Sequence, residues 1–141
     1  MPKSVFELID LDGTNGVKIN GINEGDGSGI SVSSAGDVNG DGVDDIIIGA
    51  SGADANGSAS GACYVVFGSA NWLSESLELS SLDGTNGFQI NGIDENDYSG
   101  MSASSAGDFN GDGFDDIIIG AIGADPNGES SGASYVVFGS A

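Results

Sequence analysis

The strongest constraint on this 141-residue chain is that it repeats itself at a shift of 71 residues. Leu11-Asp12-Gly13-Thr14-Asn15-Gly16 returns as Leu82-Asp83-Gly84-Thr85-Asn86-Gly87, Asp37 to Ala50 returns as Asp108 to Ala121, and Tyr64 to Ala70 returns as Tyr135 to Ala141. About 48 of the 70 paired positions are identical. Each copy is therefore one structural unit, of the kind that buries its apolar faces by stacking on neighbours. The chain divides into residues 1–70 and 71–141, with Asn71 joining the copies.

Within a copy the apolar pattern is that of strands. Ile30, Val32 and Ser34 alternate with Ser31, Ser33 and Ala35, a period of two. Ile46-Ile47-Ile48 is apolar on both faces and β-branched, as a central strand requires. Ala62 to Phe67 supplies a third strand and Gly87 to Ile93 a fourth, with Asn-Gly-Asp-Gly and Asp-Gly-Thr-Asn-Gly turns between them. No segment sustains a period of 3.6, so an all-β fold nearly free of helix is expected.

Four short strands per copy make an antiparallel sheet of the size of one propeller blade. The expectation is two four-stranded blades per chain. The phase of the repeat adds a refinement: Gly16 to Asn20 is a strand of the fourth type at the start, while the second copy ends on a strand of the third type. The first strand is thus expected to complete the blade of another chain. Two blades cannot close a ring, so head-to-tail assembly is expected, with three chains giving six blades and four giving eight. The other possibility is that these are two units of a longer array, natural or engineered.

Composition removes several functions. The chain carries 22 Asp plus Glu against Lys3 and Lys18, with no His and no Arg, for a net charge of -20. Imidazole catalysis, His-ligated zinc and guanidinium clamps on phosphate are excluded, and nucleic acid or an anionic membrane would be repelled. Cations are the natural partners. The lone Cys63 permits no internal disulfide and reads as a small buried strand residue. The opening Met1-Pro2-Lys3-Ser4 has no signal-peptide apolar region, and no apolar run is long enough for membrane insertion. The chain is expected either not to be exported by itself or to have been cut from a longer one.

The most specific chemistry is the loop Asp37-Val38-Asn39-Gly40-Asp41-Gly42-Val43-Asp44-Asp45, repeated as Asp108-Phe109-Asn110-Gly111-Asp112-Gly113-Phe114-Asp115-Asp116. Side-chain oxygens at positions 1, 3, 5 and 9 converge if Gly at position 6 allows a sharp turn, and the position 7 carbonyl adds another. Asp37, Asn39, Asp41, Val43 and Asp45, with Asp108, Asn110, Asp112, Phe114 and Asp116, are the candidate ligands. Hard oxygens of this number suit calcium (Ca²⁺), which takes ~6–8 of them. Magnesium needs a tighter octahedron, and transition metals lack their His or Cys. Position 12, where a helical calcium loop carries Glu, is Ile48 or Ile119, so this loop joins strands. Asp44 and Asp115, at position 8, are expected to face solvent or cap the turn.

Asp-x-Asn-Gly-Asp-Gly-x-Asp-Asp followed by an apolar strand and Gly-Ala, then Gly-Ala-x-Tyr-Val-Val-Phe-Gly, resembles the FG-GAP repeat of integrin α-subunit propellers and their bacterial relatives. Ser28-Gly29 and Ser99-Gly100 stand where the family often has Phe-Gly. Gly49-Ala50-Ser51 and Gly120-Ala121-Ile122 stand where it often has Gly-Ala-Pro. The resemblance implies a calcium-binding β-propeller, usually of seven blades, used in adhesion or ligand recognition, and an extracellular or cell-surface location.

Function is expected to be non-enzymatic: a calcium-stapled scaffold presenting loops to a protein or glycan. A glycosidase would need a carboxylate pair. Glu24, Asp26, Glu95 and Asp97 are available, but they recur symmetrically and read as solvated loop acids. A lectin-like module would need exposed aromatics, for which Trp72, Tyr98, Phe109 and Phe114 are candidates. Trp72 is expected to pack between blades, and Tyr64, Phe67, Tyr135 and Phe138 to be core.

Overall fold

The computed structural model describes residues 4–72 and 74–141. Its regular elements are nine strands and two single 3₁₀ turns, at Leu8–Asp10 and Leu79–Ser81, with no α-helix among the described residues. The strands are β1 (Lys18–Asn20), β2 (Ser31–Gly36), β3 (Asp45–Ala50), β4 (Ala62–Val66), β5 (Ser76–Glu78), β6 (Gly87–Asn91), β7 (Ser102–Gly107), β8 (Asp116–Ala121) and β9 (Ala133–Val137).

The all-β expectation holds, and the order β2-β3-β4-β6 forms one antiparallel four-stranded sheet. The isoleucine run is central: Ile47 pairs with Ser33 on one side and Val65 on the other. The outermost strand β6 is drawn from the second copy, with Ile90 opposite Cys63. The second sheet corrects the expectation of two four-stranded blades. It has three strands, β7-β8-β9, and no described strand pairs with the outer edge of β9. The shortfall follows from the repeat phase, because each sheet takes its fourth strand from the copy after it. Neither sheet is closed into a ring.

Sequence reasoning missed β5. It pairs in parallel with β1, setting Ile19 against Leu77. With three residues and one apolar position, β5 carries too little period to be recognised.

The two sheets meet face to face. Ile47, Cys63 and Val65 of the first sheet pack with Ile117 and Ile119 of the second, and Ala103, Val137, Phe88 and Ile90 close around them. Alternation dictates the choice: successive side chains point to opposite faces, so Ile47 enters this joint while Ile48 turns away from it. At the inner edge the backbones nearly touch. Ser31 Oγ donates to the Gly100 carbonyl at 2.8 Å, and a Cβ on Gly49 would collide with that carbonyl. The far face of the first sheet, with Ile48, Tyr64 and Val66, is covered by Leu79, Trp72, Leu77, Leu82 and Ile19. Trp72 therefore packs on the outer face rather than between the sheets, because the connector between the copies folds back there. Tyr64 is core as expected, whereas Phe138 is exposed and Tyr135, on the joint face beside Ile119, is half-buried at the unpaired edge of β9.

Cys63 lies inside the joint, and burial pushes its thiol up to about 12. The thiolate is the reacting form. Native protein at pH 8 is expected to resist iodoacetamide, with full labelling only in denaturant. Labelling followed by mass spectrometry checks this; rapid native labelling would place Cys63 outside the core.

Candidate metal centre

Each Asp-rich loop joins the first two strands of its sheet, β2 to β3 and β7 to β8. The entry is set by a register shift between Ser34 and Gly36, repeated between Ser105 and Gly107. Gly36 adopts a positive φ of 71°, and a Cβ there would strike the Asp115 side chain. Glycine is thus required on two counts, for backbone hand and for clearance.

Inside the first loop the backbone wraps around its own side chains. The Asp41 N–H donates to Asp37 Oδ1 and Asn39 Oδ1, both at 3.0 Å, and the Gly42 N–H to Asp37 Oδ2 at 2.9 Å. The Val43 N–H donates to Asp41 Oδ1 at 2.8 Å, and Asn39 Nδ2 to Asp41 Oδ2 at 3.1 Å. All five bonds recur in the second loop on Asp108, Asn110 and Asp112. Positions 1, 3 and 5 are therefore preorganised as acceptors. The loop is wrapped by its own N–H groups.

Position 9 is different in kind. Asp45 and Asp116 are buried at the starts of β3 and β8. Asp45 Oδ2 accepts the Val38 N–H and Oδ1 the Gly68 N–H, each at 2.9 Å. Asp116 Oδ2 accepts from Phe109 at 2.7 Å and Asn110 at 3.2 Å, and Oδ1 from Gly139 at 2.9 Å. One carboxylate thus ties the loop to the end of the third strand of its sheet. Burial pushes the Asp45 carboxyl above the usual carboxylate range; the two amides oppose this, and the charges of Asp41 and Asp37 add to it.

The donor chemistry of each loop fits calcium: all-oxygen, with two carboxylates and an amide oxygen on the loop and a third carboxylate at its base. No group of three or more Asp, Glu, His or Cys side chains is drawn together around a common metal position among the described residues. Asp45 and Asp116 are held toward the sheet by the backbone amides they accept, so the loop and base carboxylates are neighbours in charge without being gathered on one point.

The unexpected residue is Asp115. Its Oδ2 accepts the Asp37 N–H at 2.9 Å, and its own N–H donates to the Asp37 carbonyl at 3.1 Å. Position 8 of the second loop therefore clasps position 1 of the first, where solvent exposure or a cap on its own turn was expected. Phe114 beside it covers Gly40, and the Ser140 N–H reaches the Val38 carbonyl at 3.0 Å. The twin residue Asp44 is exposed. The sequence signal was the acid at position 8 in both copies; reading it required knowing which loop lies beside which.

The other acids resolve plainly. Asp26 and Asp97 are buried, not solvated, and accept the N–H groups of Asn23 and Asp94 at 3.2 Å. Glu24 and Glu95 are exposed. Of the four aromatic candidates for a sugar platform only Phe109 is exposed.

Replacing Asp115 by Ala leaves the Asp37 N–H without its acceptor at a half-buried seam, which is expected to cost about 1–3 kcal/mol. Asp115→Asn retains an oxygen and should lose less. Urea unfolding midpoints at unchanged slope check both; equal midpoints for wild type and Asp115→Ala would remove the clasp from the stabilising set.

Comparison with known proteins agrees with this geometry. A search of curated proteins finds no match. The family model described as FG-GAP repeat matches twice, over residues 28–66 and 99–137. Each match runs from the turn before the first strand of a sheet, through the Asp loop, to the end of its third strand. With more than half of the chain covered by these two copies, the protein belongs to the FG-GAP repeat family.

Proposed function

We propose that the chain is a calcium-binding β-propeller repeat module, a non-enzymatic scaffold that assembles with further copies and serves adhesion or ligand recognition. The observation that carries the calcium reading is the pair of identically wired loops. In both, the backbone amides fix three oxygen-bearing side chains as acceptors, above a buried carboxylate. Asp37, Asn39, Asp41, the Val43 carbonyl and Asp45 would hold one ion, and Asp108, Asn110, Asp112, the Phe114 carbonyl and Asp116 the other. A divalent cation would supply the charge that offsets the mutual repulsion of Asp37, Asp41 and Asp45. The chain's own groups do the rest: the amides orient the oxygens, and Asp45 and Asp116 transmit the position of the loop to the sheet.

The scaffold reading is supported by the family, a non-enzymatic repeat module, and by the acids themselves. Asp26 and Asp97, the buried members of the carboxylates considered for glycoside hydrolysis, are engaged by backbone amides. An extracellular or cell-surface setting, where calcium is millimolar, suits both the loops and the family. No described helix is long and apolar enough to cross a membrane. The ligand would be a protein or a glycan, and self-assembly into three or four chains would give six or eight blades.

If each site has a dissociation constant near ~10⁻⁴ M, then ~1 mM calcium stabilises the fold by roughly 1.4 kcal/mol per site. Melting temperature is expected to rise between chelator and millimolar calcium. Asp41→Ala and Asp112→Ala should each remove part of the rise, and the double variant nearly all of it. Thermal melts with isothermal titration calorimetry check this; a wild-type melting temperature indifferent to calcium would overturn the assignment.

A further inference from the structure

We propose that the open face of the second sheet docks into the first sheet of a second copy of this chain, through the same joint that unites its own two sheets. The proposal rests on the reading of the chain as an assembling scaffold and specifies the surface, the register and the polar clasp.

Twin residues of the two copies occupy matching positions in the repeat and differ in what covers them. Ile47 is 0% exposed in the internal joint, and its twin Ile118 is 38% exposed on the open face of the second sheet. Ile117 is 0% exposed in the same joint, and its twin Ile46 is 40% exposed on the open side of the first. Leu79 is 2% exposed against the first sheet, while Leu8 is 77% exposed. The exposed members thus form the two missing halves of one joint: Ile118 is the Ile47 half, and Ile46 is the Ile117 half. Isolated exposed apolar residues are ordinary on protein surfaces. Here, however, Ile46 and Ile118 are the twins of the two residues that close a joint already present in the molecule.

The receiving surface is preshaped. Between β1 and the first sheet lies a groove of about 440 Å³, lined by Val17, Ile19, Val32, Ile46 and Ile48. In the internal joint the corresponding space, bounded by Phe88, Ile90, Ala103, Ile117 and Ile119, is filled by Ile47, Cys63 and Val65. A second copy would fill the open groove with the twins of those three, Ile118, Ser134 and Val136.

Two polar elements fix the register. Asp115 clasps Asp37 inside the chain, so the exposed Asp44 of one copy would take the Asp108 N–H of the other. In the first sheet β4 pairs with β6, Ala62 opposite Asn91 and Cys63 opposite Ile90. Carried through the repeat, the open edge of β9 would pair with β1 of the second copy, Ala133 opposite Asn20 and Ser134 opposite Ile19. β1 is held by β5 on one edge, which leaves the other for this pairing. The contact joins unlike surfaces, head to tail, and so repeats until a ring closes.

Complementation of two blocked variants tests the joint. Ile46→Glu spoils only the receiving surface, and Ile118→Glu only the seated one. Both sites are exposed in the single chain, circular dichroism checks folding, and Val32→Glu is the substitute on the receiving side. By sedimentation velocity in millimolar calcium, wild type is expected at three or four times 13.9 kDa and each variant at 13.9 kDa. An equimolar mixture of the two is expected to form a species of twice that mass, because one intact joint can still form. Asp44→Ala should weaken assembly without abolishing it. An oligomeric wild type whose variants keep its mass, or whose mixture stays at the single-chain mass, overturns this joint while leaving assembly standing. A wild type that remains a single chain overturns both. Repeating the wild-type run in chelator separates the joint from the calcium reading: oligomers in both buffers support the joint alone, and oligomers only with calcium support the two together.

Discussion

The buried carboxylate at the ninth position of each Asp-rich loop is the interaction on which the rest of the structure depends. Asp45 stands where three pieces of chain must meet: the loop, the first residue of the central strand, and the end of the next strand. Its two oxygens accept one amide from the loop, at Val38, and one from Gly68 beyond β4. Asp116 does the same for the second sheet, with Phe109 and Gly139. Burying an ionised group is costly unless hydrogen bonds compensate. Here the compensation is local and complete, with no buried side-chain polar atom left unsatisfied among the described residues. The carboxylate can therefore hold the loop over the end of the sheet without an ion pair, in a chain that has almost no cations to offer.

From that anchor the two levels of the fold become coupled. The loop rigidly displays Asp37, and Asp37 is what the neighbouring sheet grips through Asp115. Any force that orders the first loop also orders the seam beside it, and the apolar joint between Ile47, Val65, Ile117 and Ile119 lies directly behind that seam. The joint is a packed interior in the ordinary sense, and its burial contributes most of the attraction between the sheets. The Asp115 clasp contributes alignment: apolar faces of Ile and Val would tolerate sliding, whereas a reciprocal pair of backbone-anchored hydrogen bonds fixes one register.

Much of this was legible in the sequence. The 71-residue repeat, the isoleucine run and the Gly-rich turns were enough to read the all-β fold and the four strands of the first sheet, though not the three-stranded second sheet, and the Asp-rich segments do connect strands. What escaped notice shares a physical cause. Asp26 and Asp97 read as solvated loop acids, and Asp115 as solvent-facing or a cap on its own turn, because acids usually are exposed; each is instead engaged by a backbone amide, and an amide partner leaves no mark in the sequence. β5 escaped because its pairing with β1 is made by backbone over three residues. Phe138 and Tyr135 escaped in the opposite direction. Their composition is that of core, as the burial of Tyr64 confirms, but Phe138 is exposed beyond the end of β9, and Tyr135, on the joint face beside Ile119, lines a cavity with Cys63 and Ile90 at the sheet edge that no described strand pairs with.

The net charge of -20 takes on a definite physical role once the uncovered surfaces are known. A sheet edge such as that of β9 and a set of exposed isoleucines would ordinarily invite indiscriminate association. Two such chains repel in every orientation, with a range of about 8 Å at physiological ionic strength. Casual contacts gain a few apolar atoms and lose to that repulsion. A contact that buries a full joint, pairs an open edge and satisfies a loop amide gains on every term at once. Divalent cations bound at the loops, as proposed, would tilt the balance further, because they would neutralise charge beside the seam that Asp37 and Asp115 form between the sheets. Acidity of this magnitude therefore opposes association in general and would permit it, as proposed, in the one arrangement that the chain already displays within itself.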